Sequence, residues 1–222
     1  MRYATLNLSL GVAICYQGVL FPAAFIPLFW FGFSFMVLGL SYWLRNATLL
    51  GKRPNGSIAW WSWLALLPLH LFIHVVWHLT RLCTRERPMD SISGQFIVGR
   101  RLSPTQLPPA VELVVDLTAE FPEPTGVRQG RDYRLFPILD ASVPDIRALR
   151  DFIASLPDVI TYVHCAQGHG RTGLFSIAYL VQRGSCATAA EGLEVLTAAR
   201  PGIVLNREQW AFVTTHFGQA SE

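Results

Sequence analysis

One cysteine of this sequence stands at the start of a turn rich in glycine. Residues 162–173 read YVHCAQGHGRTG, with Cys165 after a β-branched run and Arg171 ahead of a long apolar segment. A loop of this length between a strand and a helix can turn its backbone N–H groups inward as an anion site. The N-terminal end of the following helix adds positive potential at the same point. The pattern therefore predicts a bound anion with a thiol at its base.

The residue types of this turn predict phosphoryl transfer. Positive potential favours the thiolate of Cys165, which is the nucleophilic form, and the planar guanidinium of Arg171 can hold two phosphate oxygens. The Thr172 hydroxyl can donate to the sulfur as it leaves. The remaining contacts to phosphate are expected from backbone N–H groups of the loop residues Ala166, Gln167, Gly168, His169, Gly170 and Arg171. The expected intermediate is a cysteinyl-phosphate, and the His169 side chain is expected to face solvent.

The segment from His164 to Gly173 resembles the HCxxGxxRTG signature of cysteine-dependent protein tyrosine and dual-specificity phosphatases. The resemblance extends over about Ile92 to Phe217 and excludes the N-terminal region. It implies an α/β fold with a central sheet flanked by helices, and hydrolysis of phosphate monoesters without a cofactor or a metal. It also implies a supporting role for His164, which would bond to the loop and stabilise the thiolate.

The same resemblance implies a general acid on a separate loop. In the family, an aspartate protonates the leaving oxygen and then activates water, and it must lie within hydrogen-bond reach of that oxygen. Asp140 is the best match, because it follows an aromatic-Pro-hydrophobic stretch in YRLFPILDASVP. Only 24 residues lie between Asp140 and Cys165, fewer than in most members, so the intervening helix must be short. Asp132 and Asp116 remain alternatives, although Asp116 ends a buried strand and is expected to be structural.

The composition predicts a membrane region before the phosphatase-like part. Of the 222 residues, 51% are hydrophobic and only 15% are charged, which is too apolar for an ordinary soluble domain. Two long runs carry the excess, at residues 3–44 and 57–79. Each exceeds the length of about 20 apolar residues that crosses a bilayer, and the first is too long for a cleaved secretory signal. We therefore expect a transmembrane region over residues 1–88, with two or three helices at about 6–44 and 58–80.

Basic residues predict the orientation of this region. Arg81, Arg85 and Arg87 follow the second run, and arginines at the end of a span mark the cytoplasmic side. A reactive cysteine also persists best in a reducing compartment. The sequence thus predicts an integral membrane protein with a cytoplasmic catalytic domain. The basic loop from Arg45 to Arg53 conflicts with a full crossing of the second run. The net charge of +3 suits a membrane surface and indicates no nucleic-acid partner.

Three histidines of the second apolar run are candidate metal ligands. His70, His74 and His78 share one helical face because they recur every four residues. They predict either a metal or proton site or a polar stripe facing other helices, and the stripe is favoured because no carboxylate or cysteine accompanies them. The chain has no CxxC pair, so the sequence does not support a zinc site.

The part of the chain from residue 89 to 222 is predicted to be one α/β domain. Strands are expected at 95–99, 111–117 and 159–163, and helices from Pro144, over 171–182, after Thr188 and after Asn206. Strands that alternate with helices indicate a sheet covered by helices. The substrate stays open between a phosphorylated protein and a phospholipid headgroup, and a phosphate-binding adaptor without catalysis is a third possibility. The loop lacks the lysines that phosphoinositide-directed members tend to carry.

Overall fold

The computed structural model describes residues 2–218. Its internal contacts divide the chain into two units. One consists of Met1–Arg85 with Ala119–Pro122, and the other of Glu86–Thr118 with Glu123–Glu222. The predicted domain boundary, between residues 88 and 89, lies close to the division between Arg85 and Glu86. The last four residues of the predicted catalytic domain lie outside the described residues.

The first unit is helical. Its four α-helices are α1 (Arg2–Leu20), α2 (Phe25–Trp43), α3 (Trp60–Ala65) and α4 (Leu67–Cys83). Helices α1 and α2 form an antiparallel hairpin with very close backbones, since a Cβ placed on Gly11 would lie 2.6 Å from the carbonyl oxygen of Gly32. Small residues permit this approach. By length and composition, Arg2–Leu20 and Pro22–Trp43 could each cross a membrane.

The second apolar run is not one helix. The sequence predicts a helix over about 58–80, whereas the structure divides this region at Leu66 into α3 and α4. Pro68 explains the break, because it lies in the first turn of α4. Proline has no N–H to donate, and its ring clashes with the carbonyl four residues earlier. Helix α4 then has 17 residues.

The three histidines of α4 make polar and ring contacts within the first unit. His70 is buried, and its Nε2 lies 3.0 Å from the hydroxyl of Ser62. The Nδ1 of His74 lies 2.8 Å from the carbonyl oxygen of His70, and His78 packs against Trp77. Within residues 2–218, these histidines do not belong to any group of three metal ligands. Their contacts agree with the predicted polar stripe.

The second unit contains a mixed five-stranded sheet. Its strands are β1 (Met89–Ser91), β2 (Phe96–Arg100), β3 (Leu113–Thr118), β4 (Asp132–Ile138) and β5 (Thr161–Cys165). They lie in the order β1-β2-β5-β3-β4, with β1 antiparallel to β2 and the other neighbours parallel. The predicted α/β fold with a central sheet flanked by helices is confirmed, and β1 and β4 are additions to it.

The two faces of the sheet are covered differently. One face packs against four helices, α6 (Ile146–Ser155), α7 (Gly170–Gln182), α8 (Ala189–Ala199) and α9 (Arg207–Phe217). The other face, which includes Val114 and Tyr162, packs against Leu102, Leu107 and Val127, the last from the short helix α5 (Thr125–Arg128). Strand β5 is therefore buried throughout, and its carboxyl end holds Cys165 among its parallel neighbours, where α/β sheets commonly place their sites.

Strand β4 changes the extent of the predicted general-acid loop. The segment YRLFPILDASVP is predicted to be the general-acid loop, but its first half belongs to β4. Pro137 lies inside this strand, and β4 is the last strand of the sheet. An edge strand tolerates proline because one side needs no hydrogen-bond partner. The loop itself is short and covers residues 139–145, between β4 and α6.

Candidate active site

The predicted phosphate loop joins the end of β5 to the start of α7. Cys165 is the last residue of β5 and is buried. The backbone N–H of Gly168 donates to its sulfur over 3.2 Å. Gly168 has a φ of +74°, and a Cβ there would overlap the backbone carbonyl of Gly99. Glycine is thus required both for the backbone conformation and for the close approach of β2.

Arg171 closes the loop and meets the predicted general acid. Its guanidinium is buried, and Nη1 donates to the carbonyl oxygen of Ile138 over 3.1 Å. Its Nε lies 3.1 Å from Oδ1 of Asp140, whose side chain is 70% exposed. The structure therefore brings Arg171 and Asp140 together, at the junction of α7 with the loop after β4. An exposed carboxylate beside a buried guanidinium is accessible to a substrate.

The loop that carries Asp140 is held by the N-terminus of α9. Ala141 has a φ of +56°, a conformation that costs a non-glycine residue energy. The Nδ2 of Asn206 donates to the carbonyl oxygen of Ala141 over 2.8 Å, and Nε2 of Gln209 donates to that of Ser142 over 3.4 Å. Asn206 and Gln209 also form the capping box of α9, which begins after Asn206 as predicted. The same two side chains therefore start a helix and fix the Asp140 loop.

The two alternative aspartates are engaged elsewhere. Asp132 begins β4 and pairs with Arg134 over 2.9 Å. Asp116 is buried and accepts hydrogen bonds from Thr118 and, over 2.8 Å, from the hydroxyl of Tyr133. Burial, and next the Asp116 carboxylate, raise the pKa of Tyr133 far above its usual value, so its hydroxyl stays a donor. These contacts suit a structural role for Asp116.

A buried charged cluster lies next to the cysteine in the sheet. Asp116, Glu123 and His164 place ligand-type atoms within 4.8 Å of one another. The geometry would admit a cation, yet Arg101 Nε already lies 3.4 Å from the Glu123 carboxylate. The Nε2 of His164 lies 3.8 Å from Oε1 of Glu123. Buried charges require such pairing, so Arg101 offsets part of the negative charge of the two carboxylates.

His164 connects this cluster to the predicted nucleophile, Cys165. It precedes Cys165 in β5 and is fully buried. Its Nδ1 lies 3.4 Å from the carbonyl oxygen of Cys165, while Nε2 faces Glu123. A cation at His164 would support a thiolate at the neighbouring residue. The predicted supporting role of His164 is compatible with this placement and stays a prediction.

Thr172 is the next residue of α7. Its hydroxyl is buried and has no hydrogen-bond partner among the described residues, and the same holds for Ser176 one turn later. The predicted donation from Thr172 to the Cys165 sulfur is therefore not made in this structure. It stays a prediction for the step in which the sulfur leaves.

The His169 side chain is predicted to face solvent, but it is only partly exposed. It is 33% exposed, and its Nε2 donates to Oε2 of Glu86 over 2.6 Å. Arg200, which is buried, donates from Nε to the carbonyl oxygen of Gly168 over 2.9 Å. Neither Glu86 nor Arg200 is predicted from the sequence to contact the loop. Both residues lie far from the loop in sequence, so no local pattern links them to it.

Comparison with known proteins matches the chain to a family model and to a curated relative. A family model described as "Swiss Army Knife protein, DSP-PTPase phosphatase domain" matches residues 105–219. The curated relative, a tyrosine-protein phosphatase CDC14 homolog of Schizosaccharomyces pombe, is 33% identical over 101 residues. That match covers 43% of this chain but only 18% of the relative, so the chain spans a small part of the relative's length.

Solved structures share the fold of the second unit. Tk-PTP in its active form has a TM-score of 0.52 at 22% identity, covering 58% of this chain and 95% of that one. A single-residue variant of human DUSP28 has a TM-score of 0.52 at 19% identity, covering 59% and 94%. PTPMT1 in complex with PI(5)P has a TM-score of 0.51 at 18% identity, covering 58% and 94%. At these identities the likeness concerns the fold.

Proposed function

The chain belongs to the DSP-PTPase phosphatase domain family, and from this premise we propose that it is a cysteine-dependent phosphatase of dual-specificity type that hydrolyses phosphate monoesters of proteins. One observation carries the proposal. The buried Cys165 lies at the base of a loop whose N–H group points at its sulfur, and the loop ends at Arg171, 3.1 Å from the exposed Asp140. Nucleophile, anion clamp and proton donor thus belong to adjacent elements.

In the first step, the thiolate of Cys165 attacks phosphorus and forms a sulfur–phosphorus bond while the ester phosphorus–oxygen bond breaks. Backbone N–H groups of residues 166–171 and the guanidinium of Arg171 hold the phosphoryl oxygens. Protonated Asp140 transfers its proton to the leaving oxygen, which departs as an alcohol or phenol. The products are the alcohol and a cysteinyl-phosphate, with Asp140 as a carboxylate.

In the second step, water attacks the phosphorus of the cysteinyl-phosphate. The Asp140 carboxylate accepts a proton from this water, and the sulfur–phosphorus bond breaks to return the thiolate and inorganic phosphate. The Thr172 hydroxyl can donate to the sulfur during this departure. No metal or cofactor takes part in the proposed steps.

The proposal includes attachment to a membrane. Helix α1 and the segment Pro22–Trp43 have the length and composition of membrane spans. Arg81 lies in the last turn of α4, and Arg85 and Arg87 follow this helix. Arginines in this position favour a cytoplasmic side, so we place the catalytic domain in the cytoplasm. A C-terminal reporter fusion active only outside the cytoplasm would contradict this orientation.

A phospholipid headgroup is the second candidate substrate. The two apolar helices favour it, because an enzyme held at a bilayer meets lipid phosphates at high local concentration. A related fold, PTPMT1, has been solved in complex with PI(5)P. Full-length protein in mixed micelles, assayed in parallel on phosphotyrosine peptides and on a phosphatidylinositol monophosphate, separates the two substrates by their kcat/KM values.

Activity itself is tested with an aryl phosphate and the Cys165→Ser variant. Full-length protein in detergent should release phosphate in the presence of EDTA, and Cys165→Ser should lower turnover at least about 1,000-fold with an unchanged Tm. Cys186→Ser is the matched control, because Cys186 is also buried but lies after α7. Loss of activity with EDTA, or an active Cys165→Ser protein, would overturn the mechanism. Vanadate binding without any turnover would instead identify an adaptor.

A further inference from the structure

An acidic segment precedes and begins β1. We call Glu86–Asp90 the entry segment, since it opens the second unit directly after the helical one. Two of its side chains are acidic. Oε2 of Glu86 lies 2.6 Å from His169 Nε2 and 3.4 Å from Arg200 Nη2. Oδ2 of Asp90 accepts from Arg200 Nη1 over 2.8 Å. The entry segment therefore contacts the phosphate loop through His169 and is ion-paired to Arg200.

Arg200 connects the entry segment to the backbone of the phosphate loop. Its buried guanidinium donates to the carbonyl oxygen of Gly168 over 2.9 Å and to that of Gln167 over 3.2 Å. A buried cation is stable only with anionic or hydrogen-bonding partners. Asp90, whose side chain is 5% exposed, is the buried partner, and Glu86, at 37%, is the outer one.

One peptide group of the loop is held at both ends. The carbonyl of Gln167 and the N–H of Gly168 belong to the same planar trans unit and point in opposite directions. The carbonyl oxygen is bonded to Arg200 over 3.2 Å, and the N–H donates to Cys165 Sγ over 3.2 Å. Rotation of this plane would break both bonds together. Holding the carbonyl outward thus keeps the N–H on the sulfur.

We propose that Glu86 is a positioning residue for the phosphate loop. Acting through His169 and Arg200, it holds the loop carbonyls outward and the N–H groups toward the nucleophile and the bound phosphate. The role rests on the proposed phosphatase function for its catalytic consequence, but its effect on anion binding does not require turnover. Because Glu86 and His169 are both about one-third exposed, their pairing adds little to overall stability, and the effect is on geometry.

Gly202 provides a second way to disturb the same contact. A Cβ on Gly202 would overlap Oε1 of Glu86 and would lie 2.8 Å from His169 Nε2. Its backbone does not need the left-handed region, since its φ is not among the positive values of the described residues. The Gly202→Ala variant should therefore displace the Glu86–His169 pair without changing any charge.

The test compares full-length wild-type protein with Glu86→Gln, Gly202→Ala and the control Glu194→Gln. Glu194 is exposed on α8, and its substitution removes the same charge. Orthovanadate is the probe, because it binds the loop without turnover. We expect Glu86→Gln and Gly202→Ala to weaken vanadate binding and to lower kcat/KM by about tenfold, with the Tm close to that of the control.

The pH profile of cysteine alkylation is the readout that a purely structural role would not move. Iodoacetate labelling of Cys165, measured against the Cys165→Ser background, should shift to higher pH by about half a unit or more in Glu86→Gln, because the sulfur loses its N–H donor. A vanadate affinity and alkylation profile equal to those of Glu194→Gln would overturn the proposal. If wild-type protein binds vanadate but hydrolyses nothing, the proposed function fails while the positioning role is still measured by vanadate.

Discussion

The phosphate loop and the loop after β4 carry the candidate catalytic groups in opposite ways. Cys165 and Arg171 are buried, at 3% and 2% exposure, and are held by strands, α7 and the Arg200 guanidinium. Asp140 is 70% exposed, and its loop is tied to α9 by side-chain hydrogen bonds. Nucleophilic attack and anion binding demand fixed geometry, whereas a proton donor must meet leaving groups of different shape. The difference in support matches the difference between the proposed tasks of the two loops.

Of the three substitutions that compare the two loops, Gly168→Ala should cause the largest losses in stability and activity, because it alters the buried phosphate loop. A methyl group would overlap the Gly99 carbonyl, and the φ of +74° is unfavourable for alanine. We expect a loss of about 2 kcal/mol in the free energy of unfolding and at least a 100-fold loss in kcat/KM. Urea unfolding and an aryl phosphate assay measure both. Gly184→Ala, at a φ of +73° in open space, is the matched control and should keep its activity.

Asp140→Asn should have an intermediate effect that depends on the substrate. Turnover of an alkyl phosphate should fall about 100-fold, while an aryl phosphate with a good leaving group should lose much less, because its leaving oxygen needs no proton. Stability should change little, since the side chain is exposed. Kinetics on a series of leaving groups provide the measurement. Equal losses on alkyl and aryl substrates would remove Asp140 from this role, and Asp132→Asn would be tested next.

Asn206→Ala should have the smallest effect and should sharpen the contrast between the loops. It removes the N-cap of α9, at about 1 kcal/mol, and the bond to the Ala141 carbonyl. We expect a loss in kcat below about tenfold, larger for alkyl than for aryl phosphates, with vanadate affinity unchanged. Weakened vanadate binding would mean that the two loops are not supported separately. Thr188→Ala, which removes the N-cap of α8 instead, controls for stability.

The phosphate loop could be predicted because its information is local. Cys165, the glycines and Arg171 lie within one turn between a strand and a helix, so spacing alone indicates how they face one another. The helix starts at Asn206 and Thr188 follow from capping residues for the same reason. The choice of Asp140 as general acid rests on the family resemblance of its neighbours in sequence and stays a prediction. Its contact with Arg171 depends on the sheet.

The support of the loop could not be predicted because it is assembled from distant segments. Glu86 and Arg200 lie on opposite sides of the domain's sequence, and neither carries a local signal for its partner. Strand β4 is missed by sequence reasoning, since Pro137 favours a turn unless the strand is known to be an edge. The break at Leu66 follows from Pro68, but the surrounding apolar run favours one continuous helix.

The α1–α2 hairpin contains two segments that could cross a membrane. Its two antiparallel helices are joined by only a few residues and pack through glycines that leave no room for a side chain. Two crossings return a chain to the side on which it began. If both helices span a bilayer, the N-terminus and the segment after Trp43 share a compartment. Accessible tags at the N-terminus and within Arg45–Asn55 would then report the same side.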